Sequence, residues 1–150
     1  MNFPILSSII LLPTIGAIFL FFTKNSNTKS FQTIKYVALF TSFANFILSV
    51  YLWYLFDNST YEFQFIEDKE WLKGFINYKI GVDGISILFI LLTTLITPLC
   101  IISVNNTIKK NLKEFLIAIL IMESLMIGVF CSLDLVVFYL FFEGGLIPMF

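Results

Sequence analysis

Hydrophobic residues in this chain do not alternate with polar ones at the spacing of an amphipathic helix; they run on without interruption. Apolar stretches cover 4–22, 36–56, 84–104 and 114–132, each close to the ~20 residues an α-helix needs to cross ~30 Å of hydrocarbon. A fifth runs from Leu135 to Phe150 and, at 1.5 Å per residue, covers about 24 Å, short of that thickness. The pattern predicts an all-α membrane protein, a single membrane domain over 1–150 with four complete transmembrane helices and the start of a fifth at 135–150. A helix end left in lipid has unsatisfied carbonyls, so the last span is expected to belong to a fragment or to be continued by a companion chain. Met1 to Pro4 has no basic segment and no small-residue cleavage site follows, so the first span is expected to be retained.

Between the second and third spans the period changes. Tyr61, Phe63 and Phe65 alternate with Glu62 and Gln64, which reads as a short extramembrane strand, or half a hairpin, in the loop 57–83. Trp71, Phe75 and Tyr78 fit an interfacial aromatic belt. Charge then sorts the connections. Lys24, Lys29 and Lys35 flank the first, and Lys109, Lys110 and Lys113 the third. The second sets Asp57, Glu62, Glu67, Asp68, Glu70 and Asp83 against Lys69, Lys73 and Lys79. Lysine-rich connections stay on the cytoplasmic or matrix side, which puts the N-terminus on the periplasmic or intermembrane-space side.

Composition narrows the function classes. The chain is 59% hydrophobic and 13% charged, where a soluble domain carries about a quarter charged residues. A net charge of −1, with every cation a lysine, offers neither a basic field nor a guanidinium fork for nucleic acid. There is no histidine, and Cys100 and Cys131 lie in separate apolar runs. They read as small buried hydrophobes, with no metal site and no redox cofactor on this chain.

Two acids interrupt the apolar runs. Glu143 lies within YLFFEGGLIPMF, nine residues past Asp134; Glu123 is nine residues past Glu114. Both therefore sit roughly 13 Å from a membrane face, where a charge costs roughly 2.5–3.5 kcal/mol on insertion scales. The tight connection at Leu133 and Asp134 makes spans four and five antiparallel neighbours about 8–10 Å apart, close enough for water to bridge the carboxyls. Both are candidates for a proton relay. Pro148 has no N–H and frees the carbonyl of Gly144, while Gly144 and Gly145 loosen the helix, so a break is expected beside Glu143. Pro98 likewise frees the carbonyl of Thr94, near the hydroxyls of Thr93, Thr94 and Thr97. Tyr139, one turn before Glu143, can share its face. Ser124, Gly128 and Ser132 form a small-residue packing seam, and Asp83 and Asp134 are placed to cap the helices that follow them.

IGVDGISILFILLTTLITPL (Ile80 to Leu99) and LIMESLMIGVFCSLDLVVFYLFFEGGLIPMF (Leu120 to Phe150), about a third of the chain, closely resemble the chain 4 / subunit M family of proton-pumping NADH:quinone oxidoreductase, respiratory complex I. The resemblance implies an antiporter-like segment of the membrane arm. Glu143 matches the essential membrane glutamate of the FFE motif, Glu123 an acid of the fourth helix, and Asp83 the GVDG signature. In the family that glutamate is paired with lysines of later helices. Also implied are a role as subunit of an H⁺-translocating NADH:ubiquinone reductase and other membrane-arm subunits as partners. NADH, FMN, iron–sulfur clusters and ubiquinone would sit on other subunits, in the mitochondrial inner membrane or a bacterial plasma membrane. A cation/proton antiporter subunit and a purely structural membrane anchor are the alternatives.

Overall fold

The computed structural model describes residues 4–23, 28–72, 76–104 and 111–150. In chain order the elements are α1 (Ile5–Phe22), α2 (Thr28–Leu55), β1 (Gln64–Leu72), β2 (Ile76–Val82), α3 (Gly84–Ser103), α4 (Leu112–Cys131) and α5 (Leu135–Met149). The first four helices are each long and apolar enough to cross a membrane; α5, with 15 residues, is shorter. Lys24, Lys73, Phe75, Lys109 and Lys110 lie outside the described residues.

α4 is the hub of the bundle, packed on all four other helices and on β2. Helices in lipid associate through close packing rather than expulsion of water, which favours small residues at contacts. A Cβ on Gly128 would lie 2.6 Å from the Phe141 ring of α5, and one on Gly16 of α1 would lie 2.6 Å from Thr41 of α2. Ser124, one turn before Gly128, turns to α1 and donates its hydroxyl to the Ile10 carbonyl. The small-residue seam of α4 thus serves two neighbours.

β1 and β2 form an antiparallel hairpin whose register shifts between Gln64 and Glu67. The shift occurs where Phe65 takes a left-handed backbone, φ 55°, a local cost for a bulky side chain that is characteristic of bulges. The aromatic alternation at 61–65 therefore marks mainly the approach to the strand, with Tyr61 and Phe63 exposed ahead of it. The hairpin closes one end of the bundle: Leu133 N–H donates to the Lys79 carbonyl at 3.0 Å, and Ile80 bridges Ser132.

Helix ends are matched by charge. Pro4 offers α1 no side-chain cap; instead Ser7 N–H donates to Glu67 Oε1 of β1 at 3.2 Å, and the Ser7 hydroxyl to Glu67 Oε2. Asp83 accepts from Ser86 N–H at 2.7 Å, and Asp134 from Val136 N–H at 2.7 Å. The Ser86 hydrogen bonds hold the Asp83 carboxyl below the usual carboxylate range. At the opposite end, Lys113 Nζ donates to the Phe21 and Thr23 carbonyls of α1 at 2.8 and 2.7 Å, and Lys35 Nζ to the Ile102 carbonyl of α3 at 3.4 Å. Acids at helix N-termini and lysines at C-termini complement the helix dipoles.

Candidate functional site: a polar layer across the bundle

The apolar core is divided in two. One cluster, toward the hairpin, gathers Leu6, Ile9, Ile10, Leu52, Ile87, Ile90 and Ile127 with Ile80 and Val82. The other, toward the lysine end, gathers Ala17, Leu20, Ile34, Ala38, Ile101, Leu116 and Leu120. Between them, on three of the helices, lie buried polar residues: Ser42, Asn45 and Ser49 on α2, Thr94 and Thr97 on α3, Glu123 and Ser124 on α4. Spacings of three and four put the α2 trio on one helical face.

Glu123 is only 2% exposed. Asn45 Nδ2 donates to its Oε1 at 2.9 Å. Its Oε2 and Asn45 Oδ1 are buried with no hydrogen-bond partner among the described residues. Beside this pair, Ser49 Oγ and Thr94 Oγ1 lie 2.7 Å apart, joining α2 to α3. Thr93, Thr94 and Thr97 donate to the carbonyls of Phe89, Ile90 and Thr93, four residues earlier on their own helix. None of these hydroxyls serves the carbonyl that Pro98 frees.

Glu143 is placed differently. The face of α5 that meets α4 runs through Val137 and Gly145, both buried, with Phe141 against Gly128 and Gly144 opposite Leu125, a Cβ there lying 3.4 Å from Leu125 Cδ2. Two residues after Phe141, Glu143 is turned about 200° around the helix and is exposed beside Tyr139. The two carboxyls are therefore turned different ways: the inward one meets Asn45, and the other points away from α4. Helix breaks are not made. α5 continues through Gly144, Gly145 and Pro148 to Met149, as α3 continues through Pro98 and α1 through Pro13. Gly144 packs on Leu125, and the helical path runs on through both glycines although Pro148 donates no N–H. Of the cysteines, Cys131 is buried in the hairpin-end cluster and Cys100 is exposed, contrary to its expected burial. Among the described residues, no group of three or more histidine, cysteine or acidic side chains is gathered as metal ligands would be.

Asn45 escaped the sequence reading because its partner is 78 residues away. The signal that could have found it is the polar stripe Ser42, Asn45, Ser49 within an otherwise apolar span.

No protein-family model matches the chain. It is 45% identical over 146 residues to NADH-ubiquinone oxidoreductase chain 4 of Marchantia polymorpha, covering 97% of this chain and 29% of that protein. With the Arabidopsis thaliana protein of the same name the identity is 47%, with the same coverage. NADH-quinone oxidoreductase subunit M of Rickettsia prowazekii is 43% identical over 151 residues, covering the whole of this chain and 31% of that protein. The chain thus spans just under a third of the length of the curated relatives it matches. Along nearly its whole length, the chain is a homologue of NADH-ubiquinone oxidoreductase chain 4 and NADH-quinone oxidoreductase subunit M.

Proposed function

We propose that this chain works in the membrane arm of proton-pumping NADH:ubiquinone oxidoreductase, where Glu123 and Glu143 take up and release protons as quinone is reduced on other subunits. What carries the reading is a carboxyl group held midway along α4 in a polar layer, within a sequence 43–47% identical to proteins named as subunits of that enzyme. A carboxyl at such depth is costly unless used or neutralised. The layer supplies the Asn45 amide to it, while the apolar clusters on both sides restrict water. Glu143, on the outward face of α5, is positioned to work with polypeptide beyond these five helices, as the greater length of the relatives allows.

Redox chemistry in this reading belongs to other subunits, which carry NADH, flavin, iron–sulfur clusters and ubiquinone. The partners are other membrane-arm subunits and the bilayer. The location is the mitochondrial inner membrane or its bacterial counterpart. Lys35 and Lys113 mark the matrix end of the bundle and the hairpin the intermembrane-space end, following the lysine bias. Asp83 and Asp134 act as caps. The test is Glu143→Gln and Glu123→Gln in the assembled complex, with NADH oxidation and proton movement measured together. Glu143→Gln is expected to lower coupled turnover on the order of 100-fold, the scale of a lost proton-transfer group. Full pumping in both variants would remove the role.

A further inference from the structure

We propose that Glu123 is held as the neutral acid in a two-point pair with Asn45: the amide N–H donates to Oε1, and the carboxyl proton on Oε2 donates back to Asn45 Oδ1. The observation is the leftover atoms. One edge of the two planar groups is joined at 2.9 Å. The atoms that remain, Glu123 Oε2 and Asn45 Oδ1, are both buried and both without a partner. In the ionised form each is an acceptor only, and two acceptors cannot satisfy one another. One proton on Oε2 satisfies both at once, and leaving them bare would cost the desolvation of two buried polar groups.

Among the described residues, no charged group faces that carboxyl. Of the elements packed on α4, α1 contains no ionisable side chain. On α2, Lys29 stands in the first turn, Lys35 bonds the Ile102 carbonyl toward that same end, and Tyr36, Tyr51 and Tyr54 are exposed. Cys100 of α3 is exposed, Tyr139 and Glu143 of α5 are exposed, and Tyr78 and Lys79 lie in the hairpin. Protonation of Glu123 is thus tied to the α2–α4 contact: the proton leaves to water only when the helices part enough to admit it. Asn45 is the positioning residue that sets this coupling. The inference rests on the proposed function only for what release of the proton would accomplish; the pair itself is read without reference to pumping.

Infrared spectra of the chain in its native membrane assembly test it. The expected result is a protonated-carboxyl carbonyl band that disappears in Glu123→Gln, moves to higher frequency in Asn45→Leu as its hydrogen bonds are lost, and returns toward its original position in Asn45→Gln. A carboxylate band lost in Glu123→Gln, with no acid band, would show an anionic Glu123 joined to Asn45 by water or a cation and would overturn the pair. An acid band indifferent to Asn45→Leu would overturn the role of Asn45. If Asn45→Leu does not assemble, the comparison of wild type with Glu123→Gln still decides the protonation state. Pumping unchanged in Glu123→Gln, with the acid band present in wild type, would remove Glu123 from the relay and leave the pair standing.

Discussion

Gly128 and Phe141 are so closely apposed that a methyl group on the first would lie 2.6 Å from the ring of the second. The contact sets how α5 lies on α4, and it explains why α5 turns Val137 and Gly145 inward and Glu143 outward. Gly128→Ala should force the ring aside or push the helices apart, an overpacking cost of about 1–3 kcal/mol. Phe141→Leu in the same chain should recover part of that loss by removing the obstructing ring. Thermal unfolding in lipid nanodiscs, compared across the two single variants and the double variant, checks this. Additive losses would show that the contact does not govern the α4–α5 packing.

Glu67 caps α1 from another element. The first turn of any helix has N–H groups without intrahelical partners, and Pro4 cannot serve them through its side chain. Ser7→Ala removes the hydroxyl bond and leaves the backbone bond to Glu67, so it should cost about 0.5–1.5 kcal/mol. Glu67→Gln keeps the acceptor but loses the charge at a helix N-terminus, worth about 0.3–1 kcal/mol and reduced by salt. Amide exchange over Gln64–Val82 should quicken in Ser7→Ala at any ionic strength, and in Glu67→Gln mainly at low ionic strength. Equal exchange in wild type and both variants would show that the hairpin is held by other contacts.

Some of this architecture was legible in the chain because long apolar runs leave few alternatives: α3 and α4 follow theirs almost residue for residue. α2 begins at Thr28, before its apolar run, because a helix can extend past the hydrocarbon where polar residues still favour helical backbone. The position of Glu123 and Glu143 along their helices could be counted from the chain; the direction each faces could not. Facing depends on which small residues a neighbour selects, and for α5 the seating of Phe141 on Gly128 decides it. The Asn45–Glu123 and Ser7–Glu67 pairs join residues 78 and 60 positions apart, so they emerge only when α2 meets α4 and the hairpin meets α1.

Asp83 should give the fold an acid limb. Hydrogen bonds from Ser86 depress its carboxyl in the folded chain, so its stabilising contribution is fully present above its unfolded value, near ~3.9. That contribution is lost as pH falls below this value and through the lower folded one. The unfolded state binds more protons across that window, so stability rises with pH there. Asp83→Asn keeps the acceptor and should flatten this part of the profile, while Asp83→Ala should cost about 1 kcal/mol at neutral pH, the usual value of an N-cap. Unfolding measured from pH 2 to 6 in the three proteins separates the cases, and a slope in Asp83→Asn equal to wild type would assign the limb to other acids.

Ser49 and Thr94 join α2 to α3 within the polar layer by hydroxyls 2.7 Å apart, and each also reaches a carbonyl of its own helix: Phe46 at 2.8 Å for Ser49, Ile90 at 2.9 Å for Thr94. Thr94 Oγ1 also lies 3.1 Å from the Leu91 carbonyl, so two hydroxyl protons face four contacts, and the one that crosses between the helices uses one proton only. Thr94→Val preserves volume and removes the crossing bond, and Ser49 can still donate to Phe46. The expected loss is accordingly that of one internal hydrogen bond, about 0.5–1.5 kcal/mol, rather than that of a stranded polar group. Ser49→Ala should cost a similar amount, and the double variant little more than either single one, because each removes the same contact. A double-mutant cycle on unfolding free energy measures the coupling directly. A coupling of zero would mean that the hydroxyls are satisfied within their own helices, so that the α2–α3 contact in this layer depends on packing alone.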